Sequence, residues 1–424
     1  MAVCYLGLGS NLGDRKENII RALRILKADG AARIKRLSHL YETDPQGCPP
    51  GTPRFLNAAA KIETGLSAKS LLGKIKGIER KLGRIKPAKR FSSRPIDLDI
   101  LFYDNKRINL PSLRIPHPRL RQRPFVLKPL REVAPEIIHS LAKEMKVISG
   151  ISPMRKFILR AKSAGKSVGF VPTMGYLHEG HLSLIRQAKM DCDVCVVSIF
   201  VNPLQFGPKE DYKKYPRDLH QDRILTDSAG GDCVFYPKDK EMYPEGYSAY
   251  VDVERVTAGL CAASRPGHFR GVATVVTKLF NIVSPDIAYF GQKDYQQAAV
   301  IKKMIEELNM PLKIKVMPIV RENDGLAMSS RNVYLDRQQR QDAVVLFQSL
   351  EKAKEMARRG VFKSRDIIRE IKKMILKKKT AKIDYVTVAD GRSLKPVDSI
   401  RKNTLIAISV WIGKTRLIDN IVLK

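Results

Sequence analysis

No apolar run in the 424-residue sequence approaches the roughly 18 to 20 residues that cross a bilayer, which argues against a membrane-spanning helix. Cysteine is sparse: Cys4, Cys48, Cys192, Cys195, Cys233 and Cys261 are scattered without a framework pattern, which argues against a disulfide scaffold and fits a reducing compartment. Cys192-x-x-Cys195 runs into a buried-strand pattern. With no second Cys pair or nearby His to complete a zinc set, packing thiols are expected there. Acidic residues are few, 43 Asp+Glu against 77 Lys+Arg, for a formal charge of +34. Residues 1–144 hold 29 basic and 13 acidic side chains and the remainder 48 and 30, so no dedicated basic arm exists. Such charge points to phosphorylated partners, but without a stripe or recognition module it does not call for nucleic acid. Met1 to Leu8 lack the basic start of a signal peptide, so a cytoplasmic, soluble chain is expected. Internal repeats are lacking too.

What is present is 44% apolar composition over a length that implies two or three domains. Val3–Leu8 reads as a strand, Gly9–Asp14 as a turn and Glu17–Leu26 as an amphipathic helix. A strand is expected over Ile34–Tyr41, a Pro/Gly-rich loop over Thr43–Pro53, a strand over Phe55–Ile62, a helix over Ser70–Leu82 and a strand over Ile96–Tyr103. At Met145 the pattern restarts: a helix over Met154–Ala164, a strand over Ser167–Val171, a helix over His181–Lys189 and a strand over Val194–Val201. That succession is the signature of a parallel, nucleotide-binding sheet, and it places a domain boundary near residue 144. Beyond Arg321, helical runs over Arg337–Ala357 and Arg365–Lys377 and strands near Ile383–Val388 and Thr404–Trp411 indicate a smaller α+β subdomain.

Asp97-Leu-Asp99 puts two carboxylates on one face of a strand. Hard divalent cations accept such oxygen ligands and leave room for phosphate oxygens, although most Asp-x-Asp pairs are simply exposed or capping. Arg84, Lys86, Lys89, Arg90 and Arg94 lie upstream, and His117, Arg119, Arg121 and Arg123 downstream. They suit a triphosphate, or else a basic loop facing water. The opening Gly7-Leu-Gly-Ser-Asn-Leu-Gly-Asp14 lacks the Gly-Lys-Ser/Thr of a phosphate-binding loop and the spacing of a dinucleotide fingerprint. This segment, Phe55-Leu-Asn57, Arg90-Phe-Ser-Ser-Arg94-Pro-Ile-Asp97-Leu-Asp99 and Ile115-Pro-His117 with Arg123-Pro-Phe125 resemble 6-hydroxymethyl-7,8-dihydropterin pyrophosphokinases across nearly all of residues 1–135. The resemblance implies transfer of pyrophosphate from ATP to the pterin hydroxymethyl group. Mg²⁺ would sit on Asp97 and Asp99, the pterin against Asn57, Phe55 and Phe125, and the phosphates on Arg84, Arg94, His117 and Arg123, with the Gly83–Ser93 loop closing over them. Asp44, Lys86 and Phe91 depart from the family pattern.

Pro172-Thr-Met-Gly-Tyr-Leu-His178-Glu-Gly-His181 follows a strand and opens a helix, whose first turn is a natural phosphate seat. Two histidines three apart can donate to phosphate oxygens; zinc would want a third ligand that is not apparent nearby. With Ala327-Met-Ser-Ser-Arg331-Asn later in the chain, the pair resembles the signatures of nucleotidyltransferases related to class I aminoacyl-tRNA synthetases. Ser198-Ile-Phe-Val-Asn-Pro-Leu-Gln205-Phe, Tyr215-Pro-Arg-Asp, Ser264-Arg-Pro-Gly-His-Phe-Arg-Gly-Val, Phe290-Gly-Gln-Lys293-Asp294-Tyr-Gln-Gln297 and Leu417-Ile-Asp-Asn narrow the resemblance to pantothenate synthetases from Met145 onward, Gln292 being a departure. The family implies condensation of pantoate with β-alanine through a pantoyl adenylate, ATP giving AMP and pyrophosphate. Gln205 and Gln297 would hold pantoate; His178, His181, Lys293, Ser329, Ser330 and Arg331 the phosphates; Asp294 the ribose; and Met174, Gly175, Gly291, Val320 and Met328 the rest of the nucleotide, with Arg265 ordering the site.

The expected architecture is an α+β ferredoxin-like pyrophosphokinase domain (1–144) followed by an α/β Rossmann-like nucleotidyltransferase domain (145–320) with a smaller C-terminal α+β lid subdomain (321–424). ATP and Mg²⁺, small-molecule substrates, neither nucleic acid nor membrane as partner, and a homodimer through the C-terminal half complete the expectation. Two alternatives stand beside it: a nucleotidyltransferase for another acid or alcohol, and a chain with one active half, the other a scaffold or nucleic-acid binder.

Overall fold

A computed structural model describes residues 1–43, 45, 52–84, 93–118, 120, 123–138, 145–208 and 210–423. The chain divides into two compact units, Met1–Glu144 with Arg223–Ser228, and Met145–Asp222 with Ala229–Lys424. Of the residues singled out above, Asp44, Cys48, Lys86, Lys89, Arg90, Phe91, Arg119 and Arg121 lie outside the described ones, as do most of the Thr43–Pro53 and Gly83–Ser93 loops.

In the first unit, β1 (Ala2–Ser10) lies between β4 (Phe55–Thr64) and β5 (Asp97–Tyr103), antiparallel to both, while β2 (Arg33–Leu37) and β3 (Tyr41–Thr43) share the other edge of β4. Alternation along the strands splits the apolar residues between two cores. Leu6, Leu8, Ile62, Leu98 and Ile100 pack with Ile19, Leu23, Leu71, Ile75 and Ile78 of the helices Arg15–Ala28 and Ala68–Lys81. Tyr5, Ala59 and Leu101 pack instead with Leu127 and Leu130 of the helix Pro124–Val133. Side-chain caps start the first two helices: Asp14 accepts from the Glu17 amide at 2.9 Å and Ser67 from the Ser70 amide at 3.1 Å. The single strand expected over Ile34–Tyr41 is broken into β2 and β3. At Ser38 the hydroxyl accepts the Ala59 amide at 2.9 Å, so a side chain takes the place of a ladder carbonyl and regular pairing stops.

A short antiparallel hairpin, β6 (Ile108–Leu110) with β7 (Leu113–Ile115), completes the described strands of the first unit. The second unit is built on β8 (Val147–Ile148), β9 (Val168–Thr173), β10 (Val194–Ile199), β11 (Cys233–Phe235), β12 (Ile287–Gly291) and β13 (Lys313–Met317), a parallel sheet of order β13-β12-β9-β10-β11-β8. Every residue of β10 is buried, as a central strand covered on both faces requires. Cys192 and Cys195 are buried in this packing; Cys192 Sγ lies 3.7 Å from the Tyr289 hydroxyl, and burial pushes the Cys195 thiol up to about 12. Among the described residues no group of three or more candidate metal ligands occurs, and no helix is long and apolar enough to cross a membrane.

The sheet is followed by an antiparallel one, β14 (Ala381–Asp390), β15 (Thr404–Ile412) and β16 (Thr415–Val422), backed by the helices Val345–Arg358 and Ser364–Leu376. Ile367, Ile371 and Ile375, each four apart, give the second helix its buried stripe. The helical run expected over Arg337–Ala357 is two helices, Arg337–Ala343 and Val345–Arg358, the first capped reciprocally by Asp336 and Gln339.

Candidate active sites

In the parallel sheet, β9 pairs with β10 on one side and β12 on the other. The chain therefore leaves the carboxyl ends of β9 and β12 in diverging directions, opening the crevice where doubly wound sheets bind ligands. A cavity of about 210 Å³ lies there, and Met174, His178, His181, Gln205, Gly291, Lys293, Asp294, Gln297, Val320, Met328, Ser329, Ser330 and Arg331 all line it. Gly175 sits behind the wall: with φ +84°, a β-carbon there would meet Ile199 Cγ2 at 2.8 Å and Asp222 Oδ2 at 2.9 Å. Arg265 lies in an adjoining cavity that also reaches Lys293, Ser329 and Arg331.

The two histidines face each other at the first turn of the helix, their ring centroids 4.1 Å apart. His178 is the extended N-cap of the helix Glu179–Asp191 and His181 its third residue, in a reciprocal capping arrangement. The Gly180 amide donates to His178 Nδ1 at 3.2 Å, and the His178 amide to His181 Nδ1 at 3.3 Å. Burial and the neighbouring Lys293 hold His181 down to about 4, and burial with His181 and Lys293 holds His178 well below the usual range. Both rings are thus neutral, and because Nδ1 accepts, the proton resides on Nε2, ready to donate.

Around them are residues that single-motif reading missed. Buried Asp222 accepts the Tyr176 amide at 2.9 Å and the Leu177 amide at 2.7 Å, fixing the turn that delivers His178. Arg331 is held by two bonds to Asp211, 2.9 and 2.8 Å, and Arg265 by two to Glu210, 2.6 and 2.5 Å. Arg265 also donates to the Gln205 carbonyl at 3.2 Å, which His268 Nδ1 meets at 2.8 Å. The Gln205 side chain is set by Asn202 Nδ2 at 3.2 Å and Met174 Sδ at 3.0 Å. The helix His268–Val283 approaches this turn so closely that a β-carbon on Gly271 would lie 2.2 Å from the Leu204 carbonyl oxygen. Asp211 and Glu210 carried no signal of their own; Gly271 stood in the Arg-Gly-Val motif.

The first unit gathers its own set. Gly9 and Gly7 of β1 lie opposite Asp97 and Asp99 of β5, and Gly9 also opposite Asn57 of β4, so no side chain from β1 covers the carboxylates. A β-carbon on Gly9 would press Asn57 Oδ1 at 3.0 Å. Asn57 Nδ2 donates to Thr43 Oγ1 at 2.6 Å. Asp97 accepts Arg84 at 2.6 Å and Arg94 at 3.0 Å; Asp99 accepts Arg123 at 3.1 Å and lies 3.8 Å from His117 Nε2. Burial raises Asp99, but His117, Lys76 and Arg123 outweigh it and hold the carboxyl below its ordinary range. The Arg94 guanidinium lies over the Phe55 ring and that of Arg123 over Phe125, each at 5.7 Å. Glu79, almost wholly buried, was also missed: it accepts the Leu98 amide at 2.7 Å and Lys76 at 2.8 Å and forms an ion pair with Arg84 at 2.5 Å, bracing the strand that bears both aspartates.

A family model described as pantoate-beta-alanine ligase matches residues 146–422. The chain belongs to that family. A second model, 7,8-dihydro-6-hydroxymethylpterin-pyrophosphokinase, matches residues 5–135, so the first unit carries a pyrophosphokinase domain. Over the ligase unit the chain is 58% identical to the pantothenate synthetase of Pelotomaculum thermopropionicum across 279 residues, which is 66% of this chain and 99% of that protein. The crystal structure of pantothenate synthetase from Thermus thermophilus aligns with a TM-score of 0.63 at 43% identity, covering 66% of this chain and 99% of that one. A Francisella tularensis pantoate-beta-alanine ligase, solved with beta-gamma ATP and beta-alanine, aligns at 0.56 and 34%, covering 66% and 97%.

Proposed function

We propose that both units are active: residues 1–144 as a ferredoxin-like pterin pyrophosphokinase and residues 145–424 as a Rossmann-like pantothenate synthetase with a lid from residue 321. The observation that carries the ligase reading is the convergence of His178, His181, Lys293 and the Ser329–Arg331 turn on the crevice that Gln205 and Gln297 also enter.

In the ligase unit a pantoate carboxylate oxygen attacks the α-phosphorus of ATP, the bond to the β-phosphate oxygen breaks, and pyrophosphate leaves. Gln205 and Gln297 orient pantoate without repelling its charge. The Nε2–H groups of His178 and His181, with Lys293, Ser329, Ser330 and Arg331, meet the phosphates as negative charge shifts to the leaving oxygen. Asp294 takes the ribose, Met174, Gly291, Val320 and Met328 enclose the nucleoside, and Gly175 shapes the turn behind that wall. The β-alanine amine then attacks the acyl carbon, AMP leaves with its bonding pair, and the amine loses a proton.

In the first unit the pterin hydroxymethyl oxygen attacks the β-phosphorus of ATP and gives up its proton to solvent, the bond from that phosphorus to the α-phosphate oxygen breaks, and AMP leaves with the bonding pair. Asn57, Phe55 and Phe125 hold the pterin; Arg84, Arg94, Arg123 and His117 exchange their carboxylate partners for phosphate oxygens. The paired, uncovered carboxylates of Asp97 and Asp99 fit Mg²⁺, whose remaining ligands would come from phosphate and water; the ion would neutralise polyphosphate charge.

Pantoate-dependent exchange of labelled pyrophosphate into ATP without β-alanine, and AMP release with hydroxymethyl-dihydropterin, test the two halves. Absence of either signal removes the corresponding assignment. A homodimer held by the ligase half is part of the proposal, and sedimentation at the monomer mass would remove that part.

A further inference from the structure

Two consecutive polar residues, Asp419 and Asn420, interrupt the apolar strand β16 between Ile418 and Ile421, and both are almost completely buried. Neighbouring strand residues point to opposite faces, so burying both means that each face is covered by something able to satisfy it. Asp419 accepts two bonds from Arg321, at 2.7 and 3.0 Å, and one from the Asn420 amide at 2.8 Å. Asn420 donates from Nδ2 to the Gln292 carbonyl at 3.1 Å and to the Lys293 carbonyl at 2.9 Å, and accepts Gln292 Nε2 at 3.3 Å.

What these partners carry gives the pair its meaning. Arg321 opens a tight reversal: it bridges Ala327 across the strands, donates to the Gly325 carbonyl at 3.0 Å, and precedes a turn in which the Glu322 amide meets the Leu326 carbonyl at 2.8 Å. Met328, Ser329, Ser330 and Arg331 follow directly on this reversal. Gln292 and Lys293 begin the turn after β12 that delivers Lys293, Asp294 and Gln297. One residue of β16 therefore fixes the base of the Ser329–Arg331 segment, and the next fixes the backbone of Lys293. Hydrogen-bonded side chains sit on both segments at once, from a strand that lines the adjoining cavity and contributes no group to the 210 Å³ one.

Building on the ligase reading above, we propose that Asp419 and Asn420 are positioning residues for adenylation: they set the spacing between Lys293 and the Ser329–Arg331 turn, and so couple the C-terminal sheet to the triphosphate cradle. The coupling serves the step in which the α-to-β phosphate bond breaks. The later attack of β-alanine on the acyl carbon needs no triphosphate and is insensitive to it. Merely gluing two lobes together would make no such distinction between the half-reactions.

The test uses the full chain with Asn420→Leu, which matches the side chain in size, adds no charge and leaves both carbonyls unpaired, and Asn420→Ser, which keeps one hydroxyl donor. Pantoate-dependent pyrophosphate–ATP exchange reads the first step, and β-alanine consumption of added pantoyl adenylate reads the second. Loss of buried hydrogen bonds is expected to lower exchange kcat/KM for ATP roughly tenfold or more in Asn420→Leu, with a smaller loss in Asn420→Ser and KM for pantoate unchanged. The second step stays within about twofold of wild type on the same footing. Exchange kinetics like wild type, or an equal fall in both half-reactions, overturns the positioning role. If Asn420→Leu fails to fold, Asn420→Ser decides by the same split. Wild-type protein without exchange would instead sink the ligase reading itself.

Discussion

The amide of His178 donates to Nδ1 of His181 at 3.3 Å, and this one bond sets the tautomer on which phosphate donation depends. At pH 6 heteronuclear NMR of ring-labelled protein should find both histidines neutral with the proton on Nε2. Burial and Lys293 keep His181 near 4. An imidazolium at His181 under those conditions would contradict the assignment.

The same depression predicts a stability slope. The unfolded chain takes up a proton near 6.5 while folded His181 resists until about 4, so stability is fully present above 6.5 and is lost as pH falls towards 4. The loss is on the order of 3 kcal/mol for this residue. Asp222, pushed up to about 7 chiefly by burial, has the opposite slope over much of this window. The diagnostic quantity is therefore the difference between wild type and His181→Gln in denaturant titrations at pH 7 and pH 5. The variant should lose less stability than wild type on acidification; equal losses would refute it.

Gly271→Ala should damage the ligase half alone. Its β-carbon would lie 2.2 Å from the Leu204 carbonyl oxygen, backbone that cannot rotate aside. A shift of the turn bearing Gln205 is expected, costing about 1–3 kcal/mol in stability and raising KM for pantoate. Pterin-dependent AMP formation should be unchanged. An unaltered KM for pantoate would show that the contact relaxes without moving Gln205.

Glu79→Gln should do the converse. Glu79 ties Arg84, Lys76 and the Leu98 amide to the strand of Asp97 and Asp99. Replacing its carboxylate leaves two partly buried cations short of a partner, a loss of about 1–3 kcal/mol. Pyrophosphokinase kcat/KM for ATP should drop while ligase turnover stays at the wild-type value. Equal pyrophosphokinase kinetics would remove Glu79 from the site.

These predictions mix residues that the sequence announces with others that only the fold reveals. His178, His181, Lys293, Gln205, Gln297 and the Ser329–Arg331 turn were legible because they stand in contiguous motifs, and the cavity gathers them. Helical spacing was legible in the helix Ser364–Leu376, which buries Ile367, Ile371 and Ile375, whereas β1 is read from its apolar run, since Cys4, Tyr5 and Leu6 are buried in succession on both faces. The strand over Ile34–Tyr41 misled because its apolar spacing says nothing of Ser38 capturing the Ala59 amide. Asp222, Asp211, Glu210 and Glu79 were invisible for a related reason. An acidic residue on a helix or loop reads as solvated until its partner, 120 positions away for Asp211 and Arg331, is brought to it.

The most direct test of the account is AMP formation by the purified full chain with ATP and Mg²⁺, given hydroxymethyl-dihydropterin alone or pantoate with β-alanine alone, for wild type, Asp97→Ala and His181→Ala. Two independent sites predict AMP from each substrate set, loss of only the pterin reaction in Asp97→Ala, and loss of only the pantoate reaction in His181→Ala. A silent substrate set in wild type, or a variant that loses both reactions while remaining folded, would contradict it.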